Sequence, residues 1–483
     1  MMASANCLAT NKEYLQTIAY CMKAHCDTTQ TTVGDIEHWW WLNVVGVKPD
    51  QPNPSMTYQE SLTSLMSTPN STLPEDTPLS TPVLVDEEAY IANNNILSNF
   101  QRAETFHGKY SIILISTCFA LPVFLSFSRF LPFPHRLTNL FNAYFIDSSL
   151  HTQTINFPLF GQLNLPTRGQ SLFIGWWIFI NVLCSSLQYK SVQPNAWWTT
   201  RTLEIATYIA NRTGALSFAN LPLLTLFSGR NDLLLWLTNW SYSTFILLHK
   251  TVGVIATLEA CLHSAIYLQI YLGKGLEHYK EESKAPYWIM GILATLTLSL
   301  MVFPLSLKKI RKVMYEFFVI MHIALAILTL VGCWYHIIWR YDHQWGYELW
   351  IYIALAVWGY DRVVRLIRMS KSGIKHALVY QIDQDYLRLD IPTSSIYSGY
   401  IYIYFLNVNW KKSLLPRPWE SHPFSIASFN SSSPPINTTT SSPTYDHQEK
   451  FGGDGHENES ESSTTPRLES SENGEISNKI DSL

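Results

Sequence analysis

Seven apolar runs, at residues 110–131, 169–187, 203–228, 243–272, 286–306, 314–338 and 348–367, restrict most strongly what this chain can fold into. A bilayer core takes roughly 20 helical residues to cross, so runs of this length predict membrane-spanning helices. An α-helix satisfies its own backbone polar groups in lipid, and the spanning region is therefore expected to be all-α. The third run is the most interrupted, because Asn211 and Arg212 lie inside it. Only 14% of the 483 residues are charged, against about 25% in an average soluble domain. Trp176, Trp177, Trp197 and Trp198 fall at run edges, where indole suits the lipid–water boundary. A net charge of −4, without a basic block interleaved with aromatics, gives no support to nucleic-acid binding; the bilayer is the expected partner.

Basic residues orient these runs. Lys308, Lys309, Arg311 and Lys312 fill the loop between the fifth and sixth runs, and Arg362, Arg365, Arg368, Lys371 and Lys375 follow the seventh. Two runs apart, both groups lie on one face, the cytoplasmic one by the excess of positive charge found there. Lys274, Lys280 and Lys284 after the fourth run are offset by Glu277, Glu281 and Glu282. The N-terminus is then outside. Residues 1–109 read as a polar, loop-rich extracellular region with Cys7, Cys21 and Cys26, a Ser/Thr/Pro tract from Gln51 to Pro82 and the glycosylation sequon Asn70-Ser71-Thr72. In an extracellular segment two of those three cysteines can form a disulfide, leaving one unpaired or bonded elsewhere, and the spacing leaves open which; Cys118, Cys184, Cys261 and Cys333 lie in apolar runs as small hydrophobes. Met1–Gln30 has no apolar signal-peptide core, so either the first run serves as signal-anchor or the start lies upstream. Residues 371–428 change to period-two patterning, with Ala377–Ile382, Tyr386–Ile391 and Tyr400–Val408 as the first strands of an antiparallel β-barrel. Residues 429–483 are rich in Ser, Asn and Glu and are expected to be disordered.

Of 15 histidines, four lie within the apolar runs: His249 and His263 in the fourth, His322 and His336 in the sixth. Both pairs are 14 residues apart. On an α-helix this spacing rises about 21 Å and returns to nearly the same face, so each helix presents one imidazole near each leaflet. The two runs cross in the same direction, which matches His249 with His322 on the inner side and His263 with His336 on the outer. Neutral imidazole is a good axial ligand for haem iron, and this arrangement would hold two stacked haems. Gly253, Ala256 and Ala260 on one stripe, and Ala326, Thr329 and Cys333 on the other, leave space beside the ligands. Core histidines bonded to neighbouring carbonyls, a proton relay, or a non-haem metal site are the competing readings, but ionisable groups in lipid are costly and usually functional. Lys250 and Arg212 are candidate partners for haem propionates, and Glu259, beside the stripe, is a candidate for tuning or proton relay.

With those residues in view, the chain resembles the fungal ferric/cupric reductase family, within the wider group that includes the NADPH oxidases. The resemblance runs from Cys7, Tyr20-Cys21 and Cys26 through Arg212-Thr-Gly, Leu221-Pro-Leu-Leu, Gly229-Arg-Asn and Trp240-Ser-Tyr-Ser-Thr-Phe245 to the paired histidines and Trp419-Glu-Ser-His-Pro-Phe-Ser425. It implies a membrane haem domain at 110–370, with a ferric-reductase-like core at about 203–340, followed by a partial flavin barrel at 371–428. It also implies that His249, His263, His322 and His336 ligate the iron of two b haems, and that His422, Pro423, Phe424 and Ser425 lie on the strand that meets FAD. By itself the His-Pro-Phe-Ser sequence reads as an ordinary strand start.

The family pattern continues into a nucleotide-binding domain for NADPH, whereas Gly452-Gly-Asp-Gly455 has neither the strand before it nor the helix after it that a dinucleotide fingerprint needs. The given chain is therefore expected to stop inside the family's pattern. The implied activity is transfer of electrons from cytosolic NADPH through FAD and the haems to extracellular ferric or cupric chelates, feeding metal uptake, in the plasma membrane or alternatively the vacuolar one. A superoxide-generating NADPH oxidase and a non-catalytic haem membrane protein are the alternatives.

Overall fold

The computed structural model describes residues 4–26, 31–46, 51–74, 77–149, 155–157, 161–163, 166–305, 307–384, 386–392, 400–406 and 421–426. The expected disordered tail at 429–483, with Gly452–Gly455, lies outside the described residues, as do Val408, Trp419 and Glu420. The chain divides into two units, Met1–Lys371 and Ser372–Leu483.

The first unit opens with four helices, α1 (Ala5–Thr10), α2 (Lys12–His25), α3 (Val33–Asn43) and α4 (Tyr58–Thr63). They enclose a small core of Ala9, Leu15, Ala19, Ile36, Trp40 and Tyr58, and the Trp40 indole N–H donates to the Met56 carbonyl at 2.9 Å. This segment was expected to be loop-rich. Its apolar residues are few, but helical spacing gathers them on one side of each helix, enough to close a core. Cys7, Cys21 and Cys26 are unbonded thiols here, with Cys21 Sγ 4.0 Å from His25 Nδ1, and the expected pairing is not formed in this structure.

Each of the seven apolar runs is largely helical among the described residues. They fall in α5 (Glu87–Phe127), α7 (Arg168–Ser186), α8 (Arg201–Ser228), α10 (Tyr242–Gly273), α12 (Pro286–Val302), α14 (Tyr315–Tyr341) and α15 (Glu348–Ser372). Shorter helices α6 (His135–Phe141), α9 (Leu233–Thr238), α11 (Leu276–Glu282) and α13 (Lys308–Val313) and a hairpin of β1 (Ile155–Phe157) with β2 (Gly161–Leu163) connect them. Starts are set by local chemistry. Thr167 and Gln170 form a reciprocal cap on α7, Ser241 caps α10 and Pro286 opens α12. By length and apolarity, α5, α10 and α14 are each sufficient to cross a membrane, and α11 with α12 form a further candidate bent by 85°. The chain is thus a mostly helical, multi-pass membrane protein.

Helix α8 explains why its run looked interrupted. It is buried on nearly every side, including Arg212, Asn220 and Glu204, so its polar residues face protein rather than lipid. It packs along α10, where the Ser217 hydroxyl donates to the Ala256 carbonyl at 2.9 Å. Helix α12 packs along α14; a Cβ at Gly332 would lie 3.0 Å from the Met290 carbonyl, and the Thr297 and Thr329 hydroxyls meet at 2.8 Å.

In the second unit β3 (Leu378–Gln381) pairs antiparallel with β4 (Leu387–Asp390), and β5 (Tyr400–Tyr404) with β6 (Ser421–Ser425). Among the described residues these are two separate two-stranded sheets. Closure into a barrel therefore stays an expectation.

Between α8 and α9, the buried carboxylate of Asp232 accepts the Leu234 N–H at 2.9 Å through Oδ1, while Oδ2 has no partner among the described residues. Burial pushes this carboxyl up to about 7; the Leu234 N–H opposes the shift and Asp361 adds to it. An unfolded carboxyl titrates near pH 4. The folded form thus holds the extra proton between those values, and its contribution to stability is greatest below about pH 4 and lost as pH rises through about 7. Thermal unfolding in detergent should show a midpoint falling over that window, and Asp232→Asn, which keeps an oxygen for Leu234, should flatten the fall. An unchanged slope in the variant would place the pH dependence elsewhere.

Candidate haem-holding site

The four intramembrane histidines meet as their spacing requires. Helices α10 and α14 bring the rings of His249 and His322 to 6.1 Å between centroids, tilted by 63°, and those of His263 and His336 to 6.1 Å, tilted by 89°. A metal–imidazole bond is about 2 Å, and adding the half-widths of two five-membered rings puts imidazoles that share one metal at roughly 6 Å between centroids.

Three of the four rings have a fixed tautomer. His263 Nδ1 lies 2.7 Å from the Ala210 carbonyl, His336 Nδ1 2.8 Å from the Tyr287 carbonyl, and His249 Nδ1 2.9 Å from the Leu224 carbonyl. A carbonyl only accepts, so Nδ1 carries the proton and Nε2 keeps its lone pair. This is the outer-shell arrangement by which proteins orient a metal-ligating imidazole. His322 Nδ1 is buried without a partner among the described residues. Core histidines bonded to carbonyls were a competing reading, and these carbonyl bonds occur. They engage Nδ1 in each ring and leave Nε2 outside that bond.

Glycine makes room for the outer pair. A Cβ at Gly214 would sit 2.8 Å from His263 Nδ1, and one at Gly291 2.7 Å from His336 Nδ1, closer than real atoms approach. Both imidazoles thus press their Nδ1 edge against bare backbone of the neighbouring helix. They open on a cavity of about 290 Å³ whose walls include Ala260, Thr329 and Cys333, three of the expected small residues. Arg340 and Tyr347 also line it. Of the other small residues, Ala256 is fully buried and accepts the Ser217 hydroxyl, while Gly253 faces Leu224.

Among the described residues no three or more His, Cys, Asp or Glu side chains come together to hold a metal ion. Two imidazoles alone leave a bare ion short of the three or four protein ligands it normally takes. A porphyrin, in contrast, supplies the remaining donors and needs only axial ligands. The residues present therefore suit haem better than a non-haem metal.

Other candidates are placed differently. The Arg212 guanidinium lies over the Tyr110 and Tyr189 rings and donates through Nη1 to the Cys184 carbonyl at 2.7 Å, so this structure engages it with α5 and α7 and the segment after α7. Lys250 is exposed. His107 went unnoticed in the sequence because it lies just before the first run; it is fully buried on α5 beside Glu104, and the Tyr347 hydroxyl donates to that carboxylate. In the second unit, β6 places His422 opposite Ile403 and Phe424 opposite Ile401, with the Phe424 ring 6.4 Å from Phe405. Pro423 and Ser425 lie on the same strand.

Residues 213–333 match the family model described as ferric reductase like transmembrane component. The chain is similar to ferric reductase transmembrane component 3 of Saccharomyces cerevisiae, 28% identical over 362 residues, covering 72% of this chain and 49% of the relative. It is likewise similar to a probable ferric reductase transmembrane component of Candida albicans, 30% identical over 374 residues, with 73% and 53% covered. A third relative is ferric/cupric reductase transmembrane component 1 of Candida albicans, 29% identical over 374 residues, with 73% and 47% covered. The chain spans about half the length of these relatives. No solved structure matches it.

Substituting Val at Gly214 or Gly291 should drive a side chain into the His263 or His336 ring. We expect each variant to retain about half the bound haem, with the inner pair intact; the Soret absorbance per chain measures it. Full haem retention in both variants would show that the glycine contacts do not set the outer site.

Proposed function

We propose that this chain, a relative of the fungal ferric and cupric reductase transmembrane components that carries a ferric reductase like transmembrane domain at residues 213–333, passes electrons across a membrane to ferric or cupric ions. The observation that carries this reading is the pair of histidine couples, each at 6.1 Å, repeated 14 residues along the same two helices.

In this reading His249 with His322, and His263 with His336, each hold one haem b, which supplies a one-electron couple when bound. The Leu224, Ala210 and Tyr287 carbonyls hold Nδ1 of His249, His263 and His336, so that Nε2 would be the nitrogen offered to a haem iron. The inner pair is the receiving end. The outer pair, beside a cavity lined by Arg340 and Tyr347, delivers to ferric or cupric chelates outside. His422, Pro423, Phe424 and Ser425 belong to an FAD-binding strand, with NADPH as donor through a nucleotide-binding domain of the kind the family pattern carries further on. Seven spans, an exterior N-terminus, a glycosylated ectodomain and a role in metal uptake at the plasma membrane complete the proposal.

The test is a reduced-minus-oxidised spectrum of the purified chain from haem-replete cells, with His249→Ala, His263→Ala, His322→Ala and His336→Ala. A b-type spectrum falling by about half in each variant is expected. A colourless wild-type chain overturns the reading, and unchanged haem in His263→Ala and His336→Ala overturns the outer assignment. In a protein that carries both this chain and a nucleotide-binding domain, ferrous-chelate formation in excess of superoxide separates metal reduction from oxidase activity.

A further inference from the structure

Helix α10 carries one carboxyl group, Glu259, four residues before His263 and ten after His249. It therefore lies about 6 Å along the axis from the outer ligand and about 15 Å from the inner one. Its side chain turns into protein: Glu259 is 7% exposed, Asn220 of α8 is fully buried and Asn181 of α7 is 4% exposed. The Asn220 amide donates to Glu259 Oε2 at 3.0 Å and to Asn181 Oδ1 at 3.3 Å. Two acceptors, Glu259 Oε1 and Asn220 Oδ1, are left buried with no partner among the described residues. A buried unsatisfied polar group costs about 1–3 kcal/mol, more when charged. The second carboxylate oxygen makes no structural bond among the described residues, so packing alone does not account for an acid here.

Resting on the haem reading above, we propose that Glu259 is a proton-binding site that balances charge in the membrane as the outer couple gains and loses an electron. A bis-imidazole ferric porphyrin core carries one positive charge, and the ferrous core none. In the oxidised state the ionised Glu259 carboxylate is the counter-charge to that core. On reduction one electron would cancel the positive charge of the core, leaving the carboxylate without its counterpart; one proton, taken up from the aqueous phase, then bonds to Glu259 Oε1 and gives the neutral acid. On reoxidation the electron leaves to the acceptor and the proton leaves Oε1, so charge and atoms balance in each direction.

The groups facing Glu259 fit this role. From α8 comes Asn220, with Arg212 two turns away donating to the Cys184 carbonyl; from α7 come Asn181 and the Cys184 thiol, which lies in electrostatic range of both Glu259 and Arg212. Cys118 of α5 stands behind Cys184 in the same core, and on α10 itself His263 is one turn on. Arg212 is the cation among them. Its Nη1 is held by a carbonyl and its face by two tyrosine rings, which keeps it from pairing directly with Glu259.

The experiment is a spectroelectrochemical titration of the full haem-loaded chain across pH, with redox-difference infrared spectra in H₂O and D₂O. One proton per electron predicts that the potential of one component falls by about 59 mV for each tenfold drop in proton activity. A protonated-carboxyl C=O band should appear on reduction and shift in D₂O. Glu259→Gln should lose both signals, and Glu259→Asp, which keeps an acid, should retain them; a wild-type spectrum without a carboxyl band overturns the proposal even if the variants do not fold. A pH-independent potential with no carboxyl band in a chain that binds haem overturns this proposal alone, as does a slope that survives in Glu259→Gln. A chain without haem overturns the underlying reading together with it.

Discussion

A histidine between membrane helices has two nitrogens to satisfy and no water to do it. The remainder of this fold depends on how that demand is met. His263, His336 and His249 each give Nδ1–H to a carbonyl of an adjacent helix, and the partner ring on the facing helix lies 6.1 Å away between centroids. Burial, tautomer and direction are thereby settled together, before any ligand is bound. The helices supplying those carbonyls, α8 and α12, are as much part of the site as α10 and α14 that carry the rings.

This demand also accounts for the character of α8. A helix in contact with lipid cannot hold Glu204, Asn211, Arg212 and Asn220; a helix enclosed by others can, provided each finds a partner. Tyr267 donates to Asn211 at 2.5 Å, Tyr208 and Asn99 donate to Glu204, and Cys184 and two aromatic rings hold Arg212. The bundle is thus built around a polar axis with apolar walls. That is a reasonable architecture for moving charge through lipid, because polar groups already lie in the interior and need not be brought there.

The histidine pairs were legible in the sequence because 14 residues is close to a whole number of helical turns, so a one-dimensional spacing fixes a three-dimensional face. Helical runs were legible for the same reason. What the sequence did not disclose depends on partner choice. Asn211 and Arg212 looked like a defect in a span, when they mark the helix the others surround. The role of Gly214, present only as part of the Arg212-Thr-Gly element, and of Gly291 was hidden, since nothing local says which imidazole lies against them. His107 escaped notice by standing three residues before a run boundary. The N-terminal helices were missed because Ala9, Leu15, Ile36 and Trp40 are sparse among polar neighbours and become a core only when four short helices converge.

Gly214 and Gly291 each stand four residues after the carbonyl that receives an imidazole proton, Ala210 and Tyr287 respectively. In an α-helix that same oxygen accepts the N–H of the residue four places on, so it is shared between backbone and ligand. The outer imidazoles are in this sense attached to the helical hydrogen-bond ladder itself. A bend in α8 or α12 at that turn would lengthen both bonds to the oxygen at once and alter the electron density on the ring, so that a mechanical deformation of the scaffold becomes a change in imidazole basicity.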